Sequence, residues 1–514
     1  MISIATKLFK LVFAGALLAM FSGPVNAQME IPGDVEDTCR VPNKTFNSWF
    51  VSGSPSLNGA VFGADSTKLP KPISGCTFYQ WGAQMFLWMT SPEGDHLVLD
   101  GHDIFTVTPV DSDGNRHFIA NPSDAGVKTA IRNRKSNDIG EIRQAGGGGV
   151  LMSQGKSLVY YGIHANDVYA YFLTGQKDGD FPDATKYPRN SADIDTLNAY
   201  VKTNFPDVDL RDSVTMVMEF KTSWVDAATL ADASQYVTLD ADVPAYTPNA
   251  DNTIWTPTGG TEKKTLALVG MHVVGTVENH PEFVWATFEH VANAPNANFY
   301  YKDSKSKRVR RDLDSSGDYL FAAPGTSLAD ANVACMKQKG DGTIVAHLNA
   351  DKTPVCDGGI VPSSTARAFP WGSPANGETD VIVQNNTLLL SVNNSVIDQL
   401  TDGDVRKNYV QIGSVWTAPK PRGLRKAKMD KAGKPRRQHD RPSPDAPIPT
   451  QGDHFNLYDM RGSLTLSNAT METYHQGSSC FDCHKLSADA KTSFDPFELL
   501  HIYSQILPLD KPAQ

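Results

Sequence analysis

Two thiols and an imidazole stand together near the carboxyl end, in Cys480-Phe481-Asp482-Cys483-His484. Thiols one helical turn apart can each add to a vinyl group of a porphyrin and close two thioether bonds. The histidine that follows directly then projects a ring nitrogen onto the iron as an axial ligand. This is the spacing of covalent c-type haem attachment. The rivals are a Cys480–Cys483 disulfide and half of a zinc site. Zinc wants a second ligand pair at suitable spacing, and the nearby sequence offers only His475. The expected cofactor is one covalent haem c, with Cys480 and Cys483 binding it and His484 as the metal ligand.

A second constellation lies in the middle of the chain. Residues 266–277 and 283–291 read as strands joined by Glu278-Asn279-His280-Pro281-Glu282. Across that loop His272 is expected opposite Phe288 and diagonal to His290, with both imidazoles on one face. Together with Glu289 and Glu282 they are candidates for distal acid–base groups, a metal site or a distal ligand. The plainer reading is histidines hydrogen-bonded within a sheet.

On residues 480–484 the chain resembles c-type cytochromes, over its carboxyl-terminal segment alone. The resemblance implies a downstream Met as sixth iron ligand, and here the sequence departs from it: no Met follows Met471. What stands downstream is His501, in a run over 494–503 that reads as a short helix with Asp495 as cap and Pro496 at its first position. His501 is the candidate sixth ligand, with Met460, Met471 and His475 upstream and an open sixth site as alternatives. Residues 148–166 and 270–291 also resemble segments of large exported bacterial proteins of the cytochrome c family. That implies redox work and names no substrate.

The elements that must position these groups come from a chain of 514 residues, 40% hydrophobic and 20% charged. Such a composition excludes disordered, collagen-like and multi-pass membrane classes, and the net charge of -10 argues against a nucleic-acid binder. Lys7 and Lys10, the apolar run 11–21 and Val25-Asn26-Ala27 read as a secretory leader spanning residues 1–27. The expected location is the periplasm. In that oxidising compartment Cys39, Cys76, Cys335 and Cys356 form an even set with three connectivities, and sequence-local pairing is expected.

Residues 28–417 read as a large β-rich body. Alternation over 214–224 marks a strand, and 157–173 a hairpin turning at Asn166-Asp167. Helices are expected over 77–89, after Ser191, and through Leu389, Val392, Val396 and Leu400. The fold expected is mainly β, β-sandwich-like, with a few helices, α+β overall, and a short helical haem-binding segment at the C-terminus. Residues 418–452 form a basic loop or linker; 420–441 hold ten Lys or Arg against two Asp. As an insertion it would join strands at 409–417 and 464–474, leaving 453–514 to bind haem. Residues 149–157 approximate a phosphate loop with wrong glycine spacing and read as a turn.

The first functional expectation is a periplasmic monohaem cytochrome passing single electrons to a redox partner protein. The alternative is a peroxidase-like or oxygenase-like enzyme whose small-molecule substrate binds in the body. A haem-based sensor or binding module is the third.

Overall fold

The computed structural model describes residues 27–120, 149–181, 187–417, 460–465, 468–478, 480, 484, 500 and 502–512, with Pro281, Glu282 and Thr417 described in backbone only. Residues 1–26 of the expected leader, the basic run 420–441 and most of 494–503 lie outside the described residues.

The first elements are α1 (Asn43–Trp49), α2 (Gly75–Met89), β1 (Pro92–Glu93), β2 (His96–Leu97), β3 (Ile104–Val107), β4 (Phe118–Ala120) and β5 (Tyr160–Asn166). Then come α3 (Asp167–Lys177), α4 (Ser191–Asn204), β6 (Met218–Asp226), β7 (Thr238–Pro248), β8 (Ile254–Val277) and β9 (His280–His290). The chain continues through β10 (Phe299–Lys302), β11 (Arg308–Arg311), β12 (Met336–Gln338), β13 (Ile344–Ala346), α5 (Asp380–Gln399), β14 (Tyr409–Thr417) and β15 (Met460–Gly462).

Most strands join one antiparallel sheet of eleven, ordered β15-β14-β9-β8-β6-β5-β3-β4, with β7, β12 and β13 attached around the long β8. The body is mainly β with a few helices, as its composition of alternating runs implies. Helices form the outer layers. On one face α2 and α5 pack on Phe220, Trp224, Met271, Val273, Val284, Phe288 and Trp416. On the other, α3, α4 and carboxyl-terminal residues pack on Val274, Phe283, Trp285 and Val415. Neighbours in sequence thus enter opposite cores, the period of two that a sheet covered on both faces requires.

The helices start where polar side chains can take their first N–H groups. The Ser74 N–H donates to Thr77 Oγ1 at 3.1 Å at the head of α2. Asn190 rather than Ser191 caps α4, accepting the Asp193 N–H at 3.0 Å. The hairpin expected at Asn166-Asp167 is not formed. Asn166 Oδ1 accepts the Tyr169 N–H at 3.0 Å, so it caps α3, which follows β5 directly.

Two disulfides, Cys39–Cys76 and Cys335–Cys356, match the sequence-local pairing. The second spans 21 residues around the β12–β13 hairpin. Replacing both its cysteines with Ala is expected to cost about 2 to 3 kcal/mol, chiefly by releasing the unfolded chain. Urea unfolding of the double variant measures it, and an unchanged midpoint would count against the bridge as a staple. Among the described residues, no helix is long and apolar enough to cross a membrane.

Candidate functional site

Cys480 and His484 sit on one helical turn. The His484 N–H donates to the Cys480 carbonyl at 2.8 Å, so the two side chains lie on the same side of the chain. Cys480 is half-buried and packs against the core that α3 and α4 share with the sheet. It takes part in neither disulfide. The His484 ring rests on Trp285 of β9, with centroids 4.3 Å apart and planes inclined at 52°. Cys483 and His501 lie outside the described residues.

Trp285 is held by the sheet itself. Reading across the ladder, Glu219 pairs with Val274, Val274 with Trp285, Trp285 with Val415, and Val415 with Gly462. These residues form one row on one face. The next row runs Lys221, His272, Thr287 and Gly413. A third holds Ser223, Gly270 and Glu289.

Residues 468–474 lie over the second and third rows. They form turns, not the strand expected over 464–474, because their polar groups bond to side chains on the sheet face. The Asn468 Nδ2–H donates to Thr287 Oγ1 at 2.8 Å, and the Ala469 N–H to Glu289 Oε1 at 2.7 Å. Thr470 and Ser223 hydroxyls meet at 2.7 Å. Gly270 is required beneath them, since a Cβ there would come within 2.5 Å of Thr470 Oγ1. Glu472 Oε1 pairs with His272 Nε2 at 2.6 Å, and His272 Nδ1 meets Thr287 Oγ1 at 2.9 Å.

The stretch beyond the motif is anchored too. The Arg116 Nε–H donates to Gln505 Oε1 at 2.7 Å, the Tyr503 hydroxyl to Gln176 Oε1 at 2.7 Å, and the Leu509 N–H to Thr174 Oγ1 at 3.0 Å. Ile502 and Ile506 are fully buried in the same core as Trp285. The turn carrying Cys480 and His484 is therefore tied down before and after.

The comparisons decide little. No family model, curated protein or solved structure matches the chain.

The two central histidines do not share a face, which corrects the expectation drawn from the loop. His272 pairs with Thr287, not Phe288, because the turn is the two residues 278–279, closed by Val277 opposite His280 with a bulge before it. Asn279 takes the left-handed φ of 62° that such a turn needs. One residue of slip changes the facing of every side chain. His290 points to the α2 side, its ring stacked on Tyr236 at 3.8 Å. Its Nδ1 accepts the Ala292 N–H and its Nε2 faces the Gln235 carbonyl at 3.1 Å, which fixes the proton on Nε2. Burial pulls its pKa down to about 3, so the ring is neutral.

Glu289 is fully buried with both oxygens engaged. Arg367 Nε donates to Oε1 at 3.0 Å and Nη2 to Oε2 at 2.7 Å, while Asn293 Nδ2 reaches Oε2 at 3.1 Å. This leaves it bracing residue 469 rather than offering a carboxylate to a ligand. Of the upstream ligand candidates, Met460 is half-buried on the same core as Cys480, Met471 is buried, and His475 is exposed.

Sequence reasoning missed Trp285, Arg367 and Glu219. Glu219 is 3% exposed, and burial pushes its carboxyl up to about 7, offset in part by Lys221 and Arg116. Trp285 carried a signal, lying in the continuous apolar run Phe283-Val284-Trp285-Ala286 that a strand covered on both faces shows. Glu219 carried none, since a charge alternating with apolar residues reads as facing water.

A covalent porphyrin needs thiols, an axial imidazole and apolar walls. The described residues supply one thiol, Cys480, and the imidazole of His484, both set against the apolar core that includes Trp285, which is compatible with such a group.

Proposed function

We propose that the chain is a periplasmic monohaem c-type cytochrome that passes single electrons to and from a redox partner. The observation supporting this most is the single turn that sets Cys480 and His484 side by side against Trp285. Cys480 and Cys483 would hold the group covalently, His484 would ligate its iron, and His501 is proposed as a second iron ligand. The group supplies a one-electron couple when bound.

The chain's own residues do the rest. Trp285 buttresses the His484 ring and fixes its plane. The apolar row excludes water from one side, which strengthens every charge interaction there. The anchors at 468–474 and 502–509 keep the turn from swinging away, so little reorganisation accompanies a change of charge. Two disulfides fit an oxidising compartment and support the periplasmic reading.

The test is expression alongside a haem-attachment apparatus. The wild-type protein is expected to stay coloured after denaturation, and Cys480→Ser/Cys483→Ser to emerge colourless. A colourless wild type ends the proposal. Carbon monoxide added to the reduced protein is expected to leave the spectrum unchanged, as two strong ligands require. A rapid spectral shift would instead favour the redox enzyme, with an open iron site and its substrate pocket in the body.

A further inference from the structure

Glu219 stands in the same cross-strand row as Trp285, two strands away, which at ordinary strand spacing is roughly 10 Å. Its Oε2 is sealed from solvent and has no hydrogen-bond partner among the described residues. An ionised carboxylate would leave Oε2 without a donor, and a neutral acid would fit more easily. The groups facing it are few. Lys221 follows on its own strand, and β8 contributes Val274 opposite and His272 in the next row. From β5 comes Ala165, from the segment before β4 comes Arg116, and from α3 comes Tyr169. Arg116 is occupied with Gln505 and the Thr108 carbonyl. The cations oppose burial without cancelling it, so both forms of the acid are populated near neutral pH.

We infer that Glu219 is the proton-exchanging group of this site, its protonated fraction rising as an electron arrives at the group held by Cys480 and His484 and falling again as the electron leaves. This rests on the haem reading above. The step balances: an outside one-electron donor loses an electron, the site gains it, and a solvent proton converts the Glu219 carboxylate to the acid. The added charge is compensated in part, by the fraction of Glu219 that takes up the proton. At the roughly 10 Å that separates Glu219 from Trp285, one elementary charge at an effective dielectric of about 20 shifts an acid by about one pKa unit. An acid poised near pH 7 is placed where such a shift moves a proton.

The experiment uses the mature holoprotein, reduced electrochemically in weakly buffered solution with a pH-indicator dye. Uptake is expected to peak at about half a proton per electron between pH 7 and 8, the amount that a one-unit shift produces. Glu219→Gln is expected to abolish the uptake while keeping its haem, and Glu219→Asp to retain it with a displaced maximum. In the infrared, the oxidised wild type should show a protonated-carboxyl band that fades with a midpoint near pH 7 and is missing from Glu219→Gln. Uptake that persists in Glu219→Gln, or a wild type lacking the band at pH 5.5, overturns the inference and leaves the haem reading standing. A wild-type protein without covalent haem overturns that reading instead, and the proton coupling with it. If Glu219→Gln fails to fold, the Asp variant and the wild-type infrared band still decide.

Discussion

Replacing Arg367 with Met is expected to lower stability by about 3 to 5 kcal/mol, seen as a large fall in the urea midpoint. Arg367 and Glu289 are both fully buried, and the guanidinium meets the carboxylate as a two-pronged fork at 3.0 and 2.7 Å. Its remaining arm bonds to the Ala294 carbonyl. With the cation gone, Glu289 keeps only Asn293 and the Ala469 N–H as donors. An unpaired charge in the core costs far more than the pair contributes. Arg367→Met with Glu289→Leu should therefore recover much of the loss. Arg308→Met is the contrast, because its pair with Asp380 is solvent-exposed, and a change under about 1 kcal/mol is expected. A loss no larger at Arg367 than at Arg308 would remove Glu289 from its bracing role. Because Glu289 also holds Ala469, the single variant should open residues 468–474 to proteolysis before the body unfolds.

The second large effect is a pH dependence. Glu219 has an ordinary pKa of 4.5 and is pushed up to about 7 by burial in the fold. Between these values the folded chain holds a proton that the unfolded chain has released, so stability falls as pH rises. Below about 4.5 both states are protonated and nothing is lost. Above about 7 the loss is complete, at about 3 kcal/mol. Glu219→Gln carries no such titration. The stability of the variant minus that of the wild type should climb by about this amount from pH 4.5 to 8. Other groups cancel in the difference. Urea unfolding across that range measures it, and a flat difference would mean that the carboxyl is ionised throughout or reached by water.

What could be read from the sequence was local. The Cys480 to His484 spacing is a property of five consecutive residues. Likewise α2 was legible because Trp81, Met85, Phe86 and Met89 fall on one helical face. The strands at 266–277 and 409–417 showed as apolar runs. What failed did so for identifiable reasons. Asn166-Asp167 suits a turn and a helix cap equally, since the same side-chain oxygen serves both. The facing of His272 and His290 hung on one residue of register, set by a turn and a bulge with no strong signature. Glu219, Trp285 and Arg367 come from strands and loops more than a hundred residues from Cys480, so their meeting with the carboxyl-terminal segment is a product of topology alone. That helices pack on the sheet was expected; which face each one covers was hidden for the same reason.

The tail's attachments also set an order of events. Arg116 and residues 505–507 bond to one another across nearly four hundred residues, and β15 pairs with β14 across the long basic stretch between them. Trp285 therefore cannot be covered until residues 502–509 have been synthesised and docked. Any modification of Cys480 has a window that closes when residues 505–507 meet Arg116, and a cut before residue 502 would hold that window open.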